Sequence, residues 1–306
     1  MTPRDRFLAI AVAACWGVNF PATHLALEHF PPLFTVALRF TLLAVPTMLF
    51  VPRPDVPLRW LVGYGIGFGI LQFAFLYLGM EHGMPPGLAS LVLQASAPFT
   101  VILGALLLSE RLTGRQVIGV LVAVGGLAGI AVHRSLHAAL LPIVLTLFGG
   151  LGWALGNLAS RQARPPKPLH LTLWMSVVPP LPMLALSLIV EGPGREWHAL
   201  RTVAEGNGPA ACLALLYIVV VATVLGSGVW TVLLSRYPAG IVAPFSMLVP
   251  VFGIGSSWLF LGESTDRVEL SFGALVVVGV LAGVRGRRPA VPAVEATVTA
   301  APAPVP

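Results

Sequence analysis

Four residues in the first half of this 306-residue sequence carry polar chemistry into apolar surroundings: Asn19, Arg39, Gln72 and Gln94. A guanidinium among primary amides is a set that can hold a small zwitterion. Arg presents a planar donor fork that meets a carboxylate through two hydrogen bonds, and each amide offers both donors and acceptors. Ser96, Asn157, Trp16 and Trp153 stand in comparable apolar runs and join the candidate substrate-binding set. Each has a plainer reading. An amide in a span also bridges neighbouring helices, Arg39 could extend its head to a membrane surface, and tryptophan also anchors spans at interfaces. Trp230 reads as such an anchor, and Trp153 fits either role.

The acids lie elsewhere. All twelve Asp and Glu read as helix ends, loops or tail, so no mid-span carboxylate can carry protons or meet a cationic substrate. His24, near the end of the first run, is a poor substitute. Neither an acid–base pair nor a cluster of metal ligands suggests an enzyme. Cys15 and Cys212 lie inside apolar runs and imply neither a disulfide framework nor a metal site. No cofactor is expected.

The elements that must position these groups follow from composition. The chain is 57% hydrophobic and only 10% charged, with a mean hydropathy of +0.89. A water-soluble domain carries roughly a quarter charged residues. This is therefore an all-α, multi-pass membrane protein whose first partner is the lipid bilayer. Apolar runs near 7–27, 33–51, 60–80, 86–108, 115–132, 138–160, 169–190, 210–234, 239–261 and 269–284 predict ten spanning helices. The V-A-A-C ending at Cys15 resembles a lipoprotein cleavage box, but its apolar run continues to Leu27, which argues against cleavage. The Pro/Ala-rich tail, 285–306, is expected to be disordered and cytoplasmic.

The net charge of +6 bears on orientation rather than on nucleic acid. With the N-terminus inside, thirteen Lys and Arg, from Arg4 to Arg288, fall on the cytoplasmic side. Arg134, Arg195, Arg201 and Arg267 fall outside. Such a bias predicts that both termini are cytoplasmic. At 1.5 Å per residue, Asn19, Gln72 and Gln94 lie roughly 18 Å from the cytoplasmic edge and Arg39 about 21 Å. Four polar groups thus share one layer near the midplane.

The chain also repeats itself. "LLLSERLTGRQ" at 106–116 is echoed by "LFLGESTDRVE" at 259–269, and Gly87, Pro98 and Glu110 align with Gly240, Pro250 and Glu263. Two halves, 1–133 and 134–284, each hold five spans. Because five is odd, the second half enters the membrane from the opposite side, giving inverted repeats of the kind that rock about a midplane site. Glu110 and Glu263 end their helices, where a carboxylate caps a neighbouring helix or pairs with Arg. Pro98 and Pro250 interrupt spans 4 and 9 at matching places and are candidate hinges. The amide layer is not repeated: Gly226 aligns with Gln72 and Ser246 with Gln94.

At these residues the chain resembles a known family. "WGVNF", "PPLFTVALRF", "LQFAFLYLGMEHGMPPGLASLVLQ" and "SERLTGRQVIG" in the first half, with "LGWALGN", "VATVLGSGVW" and "VAPFSMLVPVFGI" in the second, are similar to the EamA family of the drug/metabolite transporter superfamily. The resemblance covers nearly the whole chain except the tail. It implies a bacterial inner-membrane secondary transporter that exports amino acids or related small metabolites, of the O-acetylserine and cysteine kind, by alternating access. The pattern of exporters of that kind carries another glutamine where Ser96 stands and lacks Pro98, which leaves the exact substrate open. The rival expectations are efflux of drug-like cations, which the missing mid-span carboxylate disfavours, and a non-transporting scaffold or intramembrane enzyme. No oligomer is implied.

Overall fold

A computed structural model describes residues 1–135, 139–237 and 239–284; the tail and its expected disorder lie outside the described residues. Among the described residues every regular element is helical. The long helices are α1 (Pro3–Leu27), α2 (Pro32–Phe50), α3 (Leu58–Glu81), α4 (Pro86–Leu108), α5 (Gly114–Ser135), α6 (Leu141–Ala163), α7 (Pro168–Val190), α8 (Gly208–Arg236), α9 (Ala243–Leu261) and α10 (Arg267–Val284). A short helix, Pro193–Arg201, links α7 to α8. Among the described residues nine helices, α1 to α9, are long and apolar enough to cross a membrane.

Local chemistry explains where these helices start. Proline opens α1, α2, α4, α6 and α7 in the first turn, where its missing N–H leaves no bond unmade. Thr2 Oγ1 caps α1 by accepting from Asp5 N, so that helix begins at Pro3, before its apolar run. The sixth helix starts at Leu141, three residues later than its run predicts, with Pro142 in its first turn.

The helices turn large apolar side chains outward: Phe50 and Ile189 are each 81% exposed. In water such a surface would aggregate; lipid solvates it. Inside, helices approach through glycine. A Cβ on Gly67 of α3 would lie 2.5 Å from the Gly156 nitrogen of α6, and one on Gly119 of α5 would lie 2.5 Å from the Gly279 carbonyl oxygen of α10. Small residues at such crossings let backbones meet where lipid supplies no hydrophobic drive.

Two pairs of helices depart from α geometry at corresponding places. In α3 the segment Gly65–Leu71 is π-helical, ending just before Gln72; in α8 the segment Tyr217–Leu225 is π-helical, ending just before Gly226. π-helix makes up well under about 1% of residues and concentrates at functional sites. In α4 and α9 the segments Leu93–Ala95 and Ala243–Leu248 are 3-10. Each precedes the proline, Pro98 or Pro250, that cannot donate to the carbonyl four residues before it. Helices α4 and α9 also exit alike. Ser109 (φ 53°) and Gly262 (φ 67°) are left-handed, and the nitrogens of Glu110 and Glu263 reach back to the carbonyls of Gly104 and Ser257, each at 3.3 Å.

Candidate functional site

Arg39 sits on α2 with its side chain folded inward; only 6% of the residue is exposed. Its Nη1 donates to Tyr77 Oη at 2.8 Å and its Nη2 to Thr223 Oγ1 at 3.1 Å. The guanidinium carbon stands 3.9 Å from the centre of the Phe73 ring and 5.7 Å from that of Phe40. Its Nε is buried without a partner. No carboxylate among the described residues forms an ion pair with it. Burying a cation without a counter-charge costs several kcal/mol. Two hydroxyls and a ring face offset part of that cost, while Nε keeps an unmet donor. Arg39 does not extend to a membrane surface.

The π-helical segment of α8 supplies one of those hydroxyls. Thr223 Oγ1 donates to the Ile218 carbonyl at 2.7 Å, which leaves its oxygen to accept from Arg39. The preceding carbonyl, of Ala222, accepts from Trp16 Nε1 of α1 at 2.8 Å. Gly226 makes room for the indole, since a Cβ there would lie 2.8 Å from Trp16 Nε1. Trp230, expected as an interface anchor, packs its ring 5.1 Å from that of Trp16. Helices α1, α2, α3 and α8 therefore meet around Arg39, Trp16, Tyr77 and Thr223.

Asn19 lies nearly one turn along α1 from Trp16. Its Oδ1 is buried and unpartnered, as are Thr23 Oγ1 on the same face and Gln72 Oε1 on α3. An unmet buried polar group costs about 1–3 kcal/mol, so a chain that keeps several on α1, α2 and α3 holds hydrogen-bonding capacity for a bound molecule. Arg39 Nε adds an unmet cationic donor on α2.

The remaining candidates lie around this cluster rather than in it. Gln94, in the 3-10 turn of α4, is buried with Nε2 3.4 Å from Met247 Sδ of α9. Asn157 Nδ2 donates to Thr100 Oγ1 at 3.2 Å, tying α6 to α4, and Thr100 in turn bonds the carbonyl of the buried Ser96. Trp153 meets Phe68 edge-on at 5.9 Å, and Phe68 meets Phe73 at 5.7 Å, so a row of rings leads from α6 to Arg39. Glu110 forms an ion pair with Arg161 of α6, while Glu263 Oε2 accepts from Gly87 N at the start of α4 at 3.0 Å. Pro98 and Pro250 are buried within their helices.

Sequence reading missed Tyr77, Phe73 and Thr223. A lone hydroxyl within "VVVATVL" and a Phe–Tyr pair four residues apart on α3 were the signals available.

Comparison with known proteins accords with this architecture. The profile of the EamA-like transporter family matches residues 6–132 and 140–284. A probable amino-acid metabolite efflux pump of Salmonella typhimurium is 41% identical over 295 residues, covering 94% of this chain and 97% of its own length. A protein of the same description from Escherichia coli is 39% identical over the same shares. A probable terminal-alkyne amino-acid exporter of Streptantibioticus cattleyicolor is 25% identical, covering 89% of this chain and 90% of its own. A solved crystal structure shares the fold at a TM-score of 0.61 and 18% identity, over 92% of this chain and 96% of the other. With its membrane-spanning helices and a family match over most of its length, the chain belongs to the EamA-like transporter family, a family of transporters rather than enzymes.

Proposed function

We propose that this protein exports amino acids or related small metabolites across the bacterial inner membrane, gripping the substrate carboxylate with Arg39. The observation that carries the reading is a buried guanidinium that has two hydroxyl partners and a ring face but no carboxylate among the described residues. Asn19 and Gln72 supply oxygens for the substrate ammonium; Gln94, Ser96, Trp16, Trp153 and Asn157 shape the walls around them. The relatives described as amino-acid metabolite efflux pumps, about 40% identical over nearly the whole chain, support the substrate class.

In this reading ten spans form two inverted five-helix halves, 1–133 and 134–284, that rock about the Arg39 layer with both termini cytoplasmic. Support comes from the matched departures from α geometry. The π turns of α3 and α8, the 3-10 turns of α4 and α9, and the left-handed exits at Ser109 and Gly262 recur at a spacing of roughly half the chain. The proline-bounded turns at Pro98 and Pro250 are the places where each half bends.

Growth of bacteria with and without expression, in toxic excess of cysteine-type metabolites and separately of cationic dyes, tests the proposal. Protection against the amino acids alone is expected. Protection against the dyes alone would replace the reading by cation efflux, and protection against neither would overturn the proposed substrate class.

A further inference from the structure

The guanidinium of Arg39 has three donor nitrogens, and they are not equivalent. Nη1 bonds Tyr77, which is fully buried and lies on α3, within the same half of the chain. Nη2 bonds Thr223 in the π turn of α8, in the other half, at the longer distance of 3.1 Å. Nε bonds nothing. A carboxylate that meets arginine side-on uses Nε together with Nη2, the terminal nitrogen on the same edge. Of that pair, Nη2 already donates to Thr223 while Nε donates to nothing.

We propose that Thr223 is a positioning residue that stands in for the substrate carboxylate when the site is empty and yields Arg39 to it on loading. The inference rests on the reading of Arg39 as the carboxylate site and adds the residue that competes for it. Three features fit Thr223 to the task. Its proton is already given to the Ile218 carbonyl, so releasing Arg39 strands no donor of its own. Its position in a π turn places it where the helix carries one residue more than α geometry requires, a geometry that relaxes locally. Its bond joins the first half of the chain to the second, so the swap of partners removes a side-chain tie between the halves when substrate arrives. Among the described residues, the corresponding turn in α3 makes no such side-chain tie. It is packed sterically against α7, where a Cβ on Gly69 would lie 2.4 Å from Pro179 Cγ.

Binding of labelled L-cysteine to the purified full chain in lipid nanodiscs tests this. In Thr223→Val the shape is kept and the competing hydroxyl is lost, so the empty state loses the bond that substrate must displace. The dissociation constant should fall roughly three- to tenfold, while Thr223→Ser, which keeps the hydroxyl, binds like wild type. L-Cysteine methyl ester, lacking the carboxylate, should gain nothing from Thr223→Val. An unchanged or raised dissociation constant for L-cysteine in Thr223→Val would overturn the proposal, as would tighter binding shared by Thr223→Ser. If Thr223→Val does not reach the membrane, Thr223→Ala in the same assay decides on the same criteria. Arg39→Lys separates the two layers of the argument. If it binds L-cysteine like wild type, the carboxylate reading itself is wrong. If it loses binding while Thr223→Val leaves affinity unchanged, Arg39 stands and only the role of Thr223 falls.

Discussion

Replacing Arg39 by lysine keeps the charge and removes the geometry, which makes it a discriminating perturbation of this site. In the structure the guanidinium reaches Tyr77 and Thr223 at once while lying 3.9 Å above Phe73. An ammonium is a compact point charge without a planar fork. In Arg39→Lys it would reach one of the two hydroxyls and could not present a two-point contact to a carboxylate. Losing one charged hydrogen bond to the substrate corresponds to about 1.5–3 kcal/mol, or roughly a ten- to 150-fold loss of affinity. The assay is export of labelled L-cysteine from cells whose membranes contain equal amounts of wild type and variant, set by immunoblot. Transport at the substrate's working concentration should fall at least tenfold at unchanged expression. Wild-type transport by Arg39→Lys would refute the reasoning, because a residue needed only for its charge tolerates this exchange.

Other expectations follow from the helix ends, the charge distribution and the placing of the acids among the described residues. Ser109 holds a left-handed conformation that its counterpart Gly262 adopts at no steric cost; Ser109→Gly should raise thermal stability by about 1 kcal/mol and Gly262→Ser lower it by a similar amount, read as opposite shifts of the melting temperature in detergent. Reporter fusions in the 191–208 loop should behave as periplasmic and those after Arg288 as cytoplasmic; a cytoplasmic 191–208 loop would break the ten-span topology. Transport into sealed vesicles should respond weakly to a pH gradient, since the acids among the described residues lie at the ends of the long helices or in the segments that connect them, and strong acceleration by that gradient alone would contradict facilitated export.

The helices were legible because each apolar run must span lipid and satisfy its own backbone. Their limits were legible only where the determinant was apolarity. The start of α1 at Pro3 depends on a cap from Thr2, and that of α6 on Pro142; both lie in the sequence but not in its hydropathy. Arg39 stood out because charge in a span is costly and therefore informative. Tyr77 and Thr223 did not, since a hydroxyl in an apolar run has no periodic signature, and their relevance depends on which helices touch. The π turns were invisible for the same reason, whereas Pro98 and Pro250 announced the irregular turns of α4 and α9 by the donor that each lacks. Trp230 read as an interface anchor because of its distance from the helix end. Its cross-helix contact with Trp16 depends on which helices touch, which the sequence does not show.

The account turns on the carboxylate, so the direct measurement is counterflow of labelled L-cysteine in liposomes containing the purified protein, competed by unlabelled L-cysteine, its methyl ester and a cationic dye. Arg39 as the grip on the carboxylate predicts that the free amino acid competes at least ten times more strongly than its ester, and that the dye competes hardly at all. Equal competition by ester and acid, or stronger competition by the dye, would contradict it.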